Sequence, residues 1–200
     1  MMKIIVGLGN PGKQYEMTRH NVGFRLIDLL GTALGADFRH SAPMVCDYAK
    51  VKVGGHDVVL VKPLTYMNLS GNAVQKILHW YKCEPTSLIV VHDDVSINLG
   101  RLRFQKGGGA GGQHGVESII ECLSGNKNFD RLKLGVGPDP GGARRADYVL
   151  GIFPANQNDI LDAVFGHAVQ ALKVWIDKGI EVSANQFNGL DLAPQVTDSK

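Results

Sequence analysis

The chain lacks any run of about 18 consecutive apolar residues, which excludes a membrane-spanning helix. Its three cysteines, Cys46, Cys83 and Cys122, lie far apart and form no C-x-x-C pair. Such a set reads as free thiols in a reducing, cytoplasmic setting, not as a disulfide frame or a zinc site. Excess charge of one sign is also missing. Lys and Arg number 21 against 19 Asp and Glu, a formal net charge of +2. A globally basic nucleic-acid binder is therefore not indicated, while a local basic face remains compatible with the balance. No internal repeat is visible. The opening Met1-Met2-Lys3-Ile4-Ile5-Val6 enters a strand pattern directly, so no secretory leader is expected.

Glycine is abundant instead, 25 residues in clusters, which points to special backbone positions. A length of 200 residues with 44% hydrophobic and 20% charged side chains suits one globular domain. We assign it to residues 1–190 and expect 191–200 to form a flexible tail. Apolar runs at Lys3–Leu8 and Ser87–Val91 read as buried strands. Asp47–Val53 and Asp57–Lys62 read as a hairpin across Gly54-Gly55-His56. Arg101–Gln105 and Arg131–Val136 are further strands. Helical periodicity marks Asn21–Leu34, Asn68–Tyr81, Val116–Leu123 and Gln157–Lys178, and Pro138–Ala143 reads as a loop. The alternation predicts an α/β fold with a twisted sheet flanked by helices. The hairpin makes that sheet mixed.

Several patterns bear on chemistry. His20 sits in the last polar stretch before the apolar-periodic run of Val22, Leu26, Ile27, Leu29 and Leu30, at the mouth of a helix. A histidine there can exchange protons near neutral pH. The plainer alternative has Thr18 or Asn21 capping the helix beside an idle His20. Gly7-Leu8-Gly9-Asn10-Pro11-Gly12 matches G-x-G-x-x-G after a strand. No helix opens at the third glycine, and no acidic strand end follows at the required distance, which disfavours a dinucleotide-binding oxidoreductase. The turn either simply needs glycine or holds Asn10 at a strand's carboxyl end, where α/β sheets place ligands.

His92-Asp93-Asp94 ends the strand that begins at Ser87. With no second ligand cluster at matching spacing, a metal site is not supported, and Asp93 is a candidate to orient His20. Lys106-Gly107-Gly108-Gly109-Ala110-Gly111-Gly112-Gln113-His114-Gly115 lacks the Gly-Lys-Ser/Thr of a phosphate-binding P-loop. It offers exposed N–H groups before a helix, with a flexible linker as the alternative. Basic residues gather at Arg101, Arg103, Lys106, Lys127, Arg131, Lys133, Arg144 and Arg145, as a solvated face or as phosphate contacts.

Taken together, these segments resemble the bacterial-type peptidyl-tRNA hydrolase family over nearly the whole chain. The resemblance rests on Gly7–Gly12 with Tyr15, on Thr18-Arg19-His20-Asn21 with Gly23, and on Lys62-Pro63 with Thr65-Tyr66-Met67-Asn68 and Ser70-Gly71. His92-Asp93-Asp94 and Gly107–Gly115 complete it. It implies hydrolysis of the ester joining a peptide to the 3′ ribose of tRNA, by a cytoplasmic monomer without cofactor, metal or membrane. It further implies His20 as general base, Asp93 as its orienting carboxylate and Asn10 as an amide engaging the substrate near the ester. Tyr15, Tyr66, Asn68 and His114 become contacts to the tRNA 3′ end and peptide. Arg103, Lys106 and Lys133 become contacts to tRNA phosphate. Two departures stand out. Gln113-His114 replaces the family's His-Asn, and Gln105 replaces a basic residue of the 5′-phosphate clamp. The alternative is a non-catalytic RNA-binding relative of the same fold, against which the retained His20, Asp93, Asn10 and Asn68 argue.

Overall fold

The computed structural model describes residues 2–193. Its centre is a seven-stranded mixed sheet in the order β2-β3-β4-β1-β5-β7-β6. The strands are β1 (Met2–Gly7), β2 (Arg39–Ser41), β3 (Cys46–Val53), β4 (His56–Pro63), β5 (Leu88–Asn98), β6 (Leu102–Lys106) and β7 (Asp130–Gly137). The four central strands, β4, β1, β5 and β7, run parallel. Both edges are antiparallel, through β3 and β2 on one side and β6 on the other. Parallel strands covered on both faces need continuous apolar sequence. Ile4–Val6, Val58–Val61 and Leu88–Val91 supply it, and all are fully buried.

The helices are α1 (Val22–Leu34), α2 (Ser70–Tyr81), α3 (His114–Cys122), α4 (Arg144–Leu150) and α5 (Asn158–Phe187). Side chains alternate across a strand, so Ile5 enters one core while Ile4 and Val6 enter the other. The first core joins α1 and α5 to the sheet through Leu26, Ile27, Leu30, Leu172 and Trp175. The second joins α2 and α3 through Val74, Ile77, Val116 and Ile119. From β1 the chain crosses by α1 toward the β4 side, and from β4 it crosses by α2 to β5. The strand order therefore reverses beside β1. A crevice opens at the carboxyl ends of β1 and β4, the usual ligand position in such sheets.

The expected mixed α/β sheet is present, with differences in detail. Strand β5 runs on through His92, Asp93 and Asp94 to Asn98, whereas the apolar run stops at Val91. Short β2 and the exposed helix α4 were not anticipated. Helix α5 breaks its regular geometry at Gly179 (φ 80°), one residue past the predicted end, then continues to Phe187. Residues 191–193 of the expected tail lie against the turn between β5 and β6. Leu192 N–H donates to the Gly100 carbonyl at 2.9 Å, and Arg101 pairs with Asp191 at 2.6 Å. The rest of that tail lies outside the described residues.

Candidate active site

Two glycines bring the helix mouth onto the strand ends. A Cβ on Gly23 would sit 2.5 Å from the Leu8 backbone and 2.6 Å from the Val91 carbonyl oxygen. A Cβ on Gly7 would sit 2.3 Å from the Gly23 carbonyl oxygen. Side chains at either position would lever α1 away from β1 and β5. With glycine at both, Phe24 N–H donates to the Leu8 carbonyl at 3.2 Å. The 3₁₀ turn Arg19–Asn21 that precedes α1 then lies over the middle of β5.

His20 on that turn meets Asp93 on β5, with Nδ1 2.9 Å from Oδ2. Their side chains are 12% and 4% exposed. Burial alone would lower the His20 pKa, but the charge and hydrogen bond of Asp93 outweigh it and raise the imidazole above its ordinary value. Burial would likewise raise Asp93. The attraction of His20 and the hydrogen bonds from His20 and Gln113 more than offset that, and the carboxyl falls below its usual range. The pair therefore holds an ionised carboxylate against Nδ1–H. Nε2 has no partner among the described residues.

Asn10 follows β1 and is fixed on three sides. Its N–H donates to Asn21 Oδ1 at 2.9 Å, its carbonyl accepts from Asn21 Nδ2 at 2.9 Å, and its Oδ1 accepts from Met67 N–H at 2.8 Å. With Oδ1 occupied, Nδ2 is the end left for a ligand. Neither Thr18 nor Asn21 caps α1. Thr18 Oγ1 donates to the Tyr15 carbonyl at 2.7 Å, and Asn21 is spent on Asn10. A further 3₁₀ turn, Met67–Leu69, carries Asn68 in an exposed position, preceded by Tyr66 at 56% exposure. Tyr15 is half-buried on the turn Lys13–Tyr15. A shallow cleft lined by Asn10, Asn21, Phe24, Arg25 and Lys62 adjoins the paired amides.

The Gly-rich stretch is a held loop. Gly107, Gly108, Gly111 and Gly112 take positive φ. Arg131, fully buried, donates to the Gly109 carbonyl at 2.5 Å and to the Gly107 carbonyl. The loop delivers Gln113 to the N-cap of α3. Gln113, not His114, turns inward, with Nε2 3.0 Å from Asp93 Oδ1. His114 is 73% exposed, and its Nδ1 lies 3.4 Å from Glu117.

The basic residues divide. Lys133 is bonded to Asp94 at 3.0 Å, both side chains 14% exposed, and Lys106 lies 3.5 Å from Glu181. Arg103 stands opposite Lys133 across the β6–β7 pair and is exposed. Arg19, one residue before His20, has no role assigned from the sequence although it lies in the same motif. It is buried, with its guanidinium 4.3 Å from the Tyr148 ring centroid and 5.0 Å from that of Phe153. Nη1 donates to the Ile152 carbonyl at 2.9 Å. It ties α4 and the following residues to the turn that holds His20. Gln113 and Asn21 were also missed as site residues. Asn21 lies inside a quoted motif. Gln113 precedes a helix whose start was placed at Val116, two residues late.

Among the described residues no three His, Cys, Asp or Glu side chains cluster as metal ligands. Cys46 is buried, and burial with nearby Asp47 pushes its thiol up to about 12, so it carries no thiolate at neutral pH.

A family model described as peptidyl-tRNA hydrolase matches residues 4–195. The peptidyl-tRNA hydrolase of Elusimicrobium minutum is 46% identical over 188 residues, covering 94% of this chain and 100% of that protein. Its counterpart from Thermus thermophilus is 42% identical over 192 residues, 96% of this chain and 99% of the relative. The crystal structure of peptidyl-tRNA hydrolase from Acinetobacter baumannii matches with a TM-score of 0.91 at 33% identity, over 96% of this chain and 97% of that one. A 5′-methylthioadenosine nucleosidase of Arabidopsis thaliana, at 9% identity and a TM-score of 0.54, shares the fold alone.

Proposed function

The chain belongs to the peptidyl-tRNA hydrolase family, and from that premise we propose how its residues cleave the ester between a peptide and the 3′ ribose of tRNA. The carrying observation is the His20–Asp93 pair, formed where β5 runs past the carboxyl end of β1, with Nε2 open. Water, deprotonated by His20 Nε2, attacks the ester carbonyl carbon. Asp93 keeps the proton on Nδ1 and stabilises the imidazolium that forms. The oxyanion is met by neutral amide donors, Asn10 Nδ2 and the side chain of Asn68. The intermediate then expels the ribose oxygen, which takes the proton back from Nε2. The products are a peptide acid and tRNA with its terminal hydroxyl restored.

Tyr15, Tyr66 and His114 line the approach of the tRNA 3′ end and peptide, and Arg103, Lys106 and Lys133 meet its phosphates. We read the protein as a cytoplasmic monomer whose partner is peptidyl-tRNA. Among the described residues no helix is long and apolar enough to cross a membrane. The alternative of a non-catalytic RNA-binding relative finds no support among the similar proteins. The test is release of tRNA from N-acetylated aminoacyl-tRNA. His20→Ala is expected to lose at least about 10²–10⁴-fold in rate, the usual contribution of a general base, while still binding tRNA. Near-normal turnover of the folded variant would overturn the assignment.

A further inference from the structure

We infer that Gln113 is a positioning residue of the reaction: its carboxamide anchors the second oxygen of Asp93 and so holds that carboxylate in line with His20. This rests on reading His20 as the base.

The geometry leaves the amide one orientation. Oε1 accepts from Val116 N–H at 2.9 Å as the N-cap of α3, so the donor end must face inward. There Nε2 donates to Asp93 Oδ1 at 3.0 Å, and it lies 3.4 Å from Met67 Sδ. Met67 in turn donates its N–H to Asn10 Oδ1 at 2.8 Å. One buried side chain thereby joins the start of α3, the orienting carboxylate and the turn that fixes Asn10 and carries Asn68. The fit is close. A Cβ on Gly115 would lie 2.6 Å from Met67 Sδ and 3.0 Å from Gln113 Oε1, so the amide has little room to swing away. With Oδ2 given to His20 and Oδ1 to Gln113, the carboxylate cannot rotate without breaking a charge-assisted bond.

The amide also does not titrate. The other ionisable groups at Asp93 are His20, from the turn before α1, and His92, its neighbour on β5. Burial holds the His92 imidazole down at about 4, and its Nδ1–H donates to the Asp93 carbonyl at 2.8 Å. Lys133 on β7 is engaged by Asp94. The support given by Gln113 is thus constant across the pH range in which His20 changes charge.

Gln113→Met keeps the length of the side chain and removes the donor. The expected result is a fall of about tenfold in kcat with KM within about twofold. A second expectation is a rise of about half a unit in the His20 titration, followed by NMR of the imidazole, because an unsupported carboxylate pulls harder on the imidazolium. A capping role alone would lower the melting temperature and leave both readouts in place. Gln113→His, whose neutral ring has one donor and one acceptor, is expected to recover most of the lost rate. The inference is overturned by a Met variant with wild-type kcat, by an unshifted His20 titration, or by a His variant no better than Met. The titration does not depend on turnover. If His20→Ala remains active while Gln113→Met shifts the His20 titration, the choice of base fails and the anchoring of Asp93 stands.

Discussion

Asp93→Asn is the most informative single perturbation, because both carboxylate oxygens are used as acceptors. Oδ2 faces His20 Nδ1 at 2.9 Å, and Oδ1 faces Gln113 Nε2 at 3.0 Å. An asparagine brings one oxygen and one NH₂. If its oxygen faces His20, its NH₂ is set against the NH₂ of Gln113. If it turns, the NH₂ donates to Nδ1 and the imidazole proton moves to Nε2, where the lone pair is needed. The charge is lost as well. A carboxylate and an imidazolium about 4 Å apart attract by about 4 kcal/mol at an effective dielectric near 20. The imidazolium forms only as water gives up its proton, so this attraction is missed mainly in the transition state. Allowing for the remaining amide dipole, about 3–4 kcal/mol of barrier, or about 10²–10³-fold in kcat, is the expected loss.

The sign of the pH effect follows from the pair. In the proposed reaction only neutral His20 acts as the base, and Asp93 raises its pKa above the ordinary 6.5. The wild-type rate should therefore fall as pH drops through a value above 6.5, and in the Asn variant that limb should move to lower pH. Single-turnover release of tRNA from N-acetylated aminoacyl-tRNA, measured from about pH 5.5 to 9, spans the reference His value and reads both effects. A variant within about threefold of wild type, with its acid limb unmoved, would refute the role given to Asp93.

The basic face and the buried cation provide further tests. Arg103→Gln should raise KM and lessen its salt dependence by about one unit of slope, leaving kcat nearly unchanged. Lys133→Gln should weaken tRNA binding less, because Asp94 already neutralises that ammonium, and should cost stability by leaving Asp94 without its cation, held by Ser96 alone among the described residues. Equal effects of the two changes on the salt slope would contradict that difference. Arg19→Met should destabilise the fold by about 2–4 kcal/mol in urea unfolding, through lost carbonyl bonds and lost stacking on Tyr148 and Phe153. Arg19→Lys keeps the charge without the flat guanidinium and should recover only part. Full stability in the Met variant would show that the latch is idle.

Much of the sheet was readable because β1, β4 and the first half of β5 are continuous apolar runs, and little but a covered parallel strand demands that. The second half of β5 was hidden. His92, Asp93 and Asp94 look like a strand's end. They stay in the sheet because His20 and Gln113 take Asp93, Lys133 takes Asp94, and His92 is buried neutral. Helix α4 buries no residue, so no apolar stripe marks it. The partnership of His20 with Asp93 could be guessed from residue types. The inward turn of Gln113 rather than His114 could not, since it depends on which residue begins α3. Arg19 was equally silent, because its carbonyl and aromatic partners lie more than a hundred positions away.

The choice of amides around this crevice follows from where charge develops. Before reaction the pair carries one negative charge, on Asp93, buried and bonded on both oxygens. In the transition state of the proposed reaction His20 becomes positive and the ester oxygen negative. A further carboxylate at position 10, 21 or 68 would oppose that oxyanion in a site of low dielectric. A lysine close to Nε2 would oppose the imidazolium and depress its basicity. Asparagine avoids both costs. The Asn21 amide occupies the backbone N–H and carbonyl of Asn10, and Met67 N–H holds Asn10 Oδ1, so the Asn10 side chain is set in advance. Donors fixed in advance need little reorganisation as the charge forms, which is the main source of electrostatic catalysis. By this reasoning one ionised pair and several neutral donors suffice for water to attack an ester in the proposed reaction.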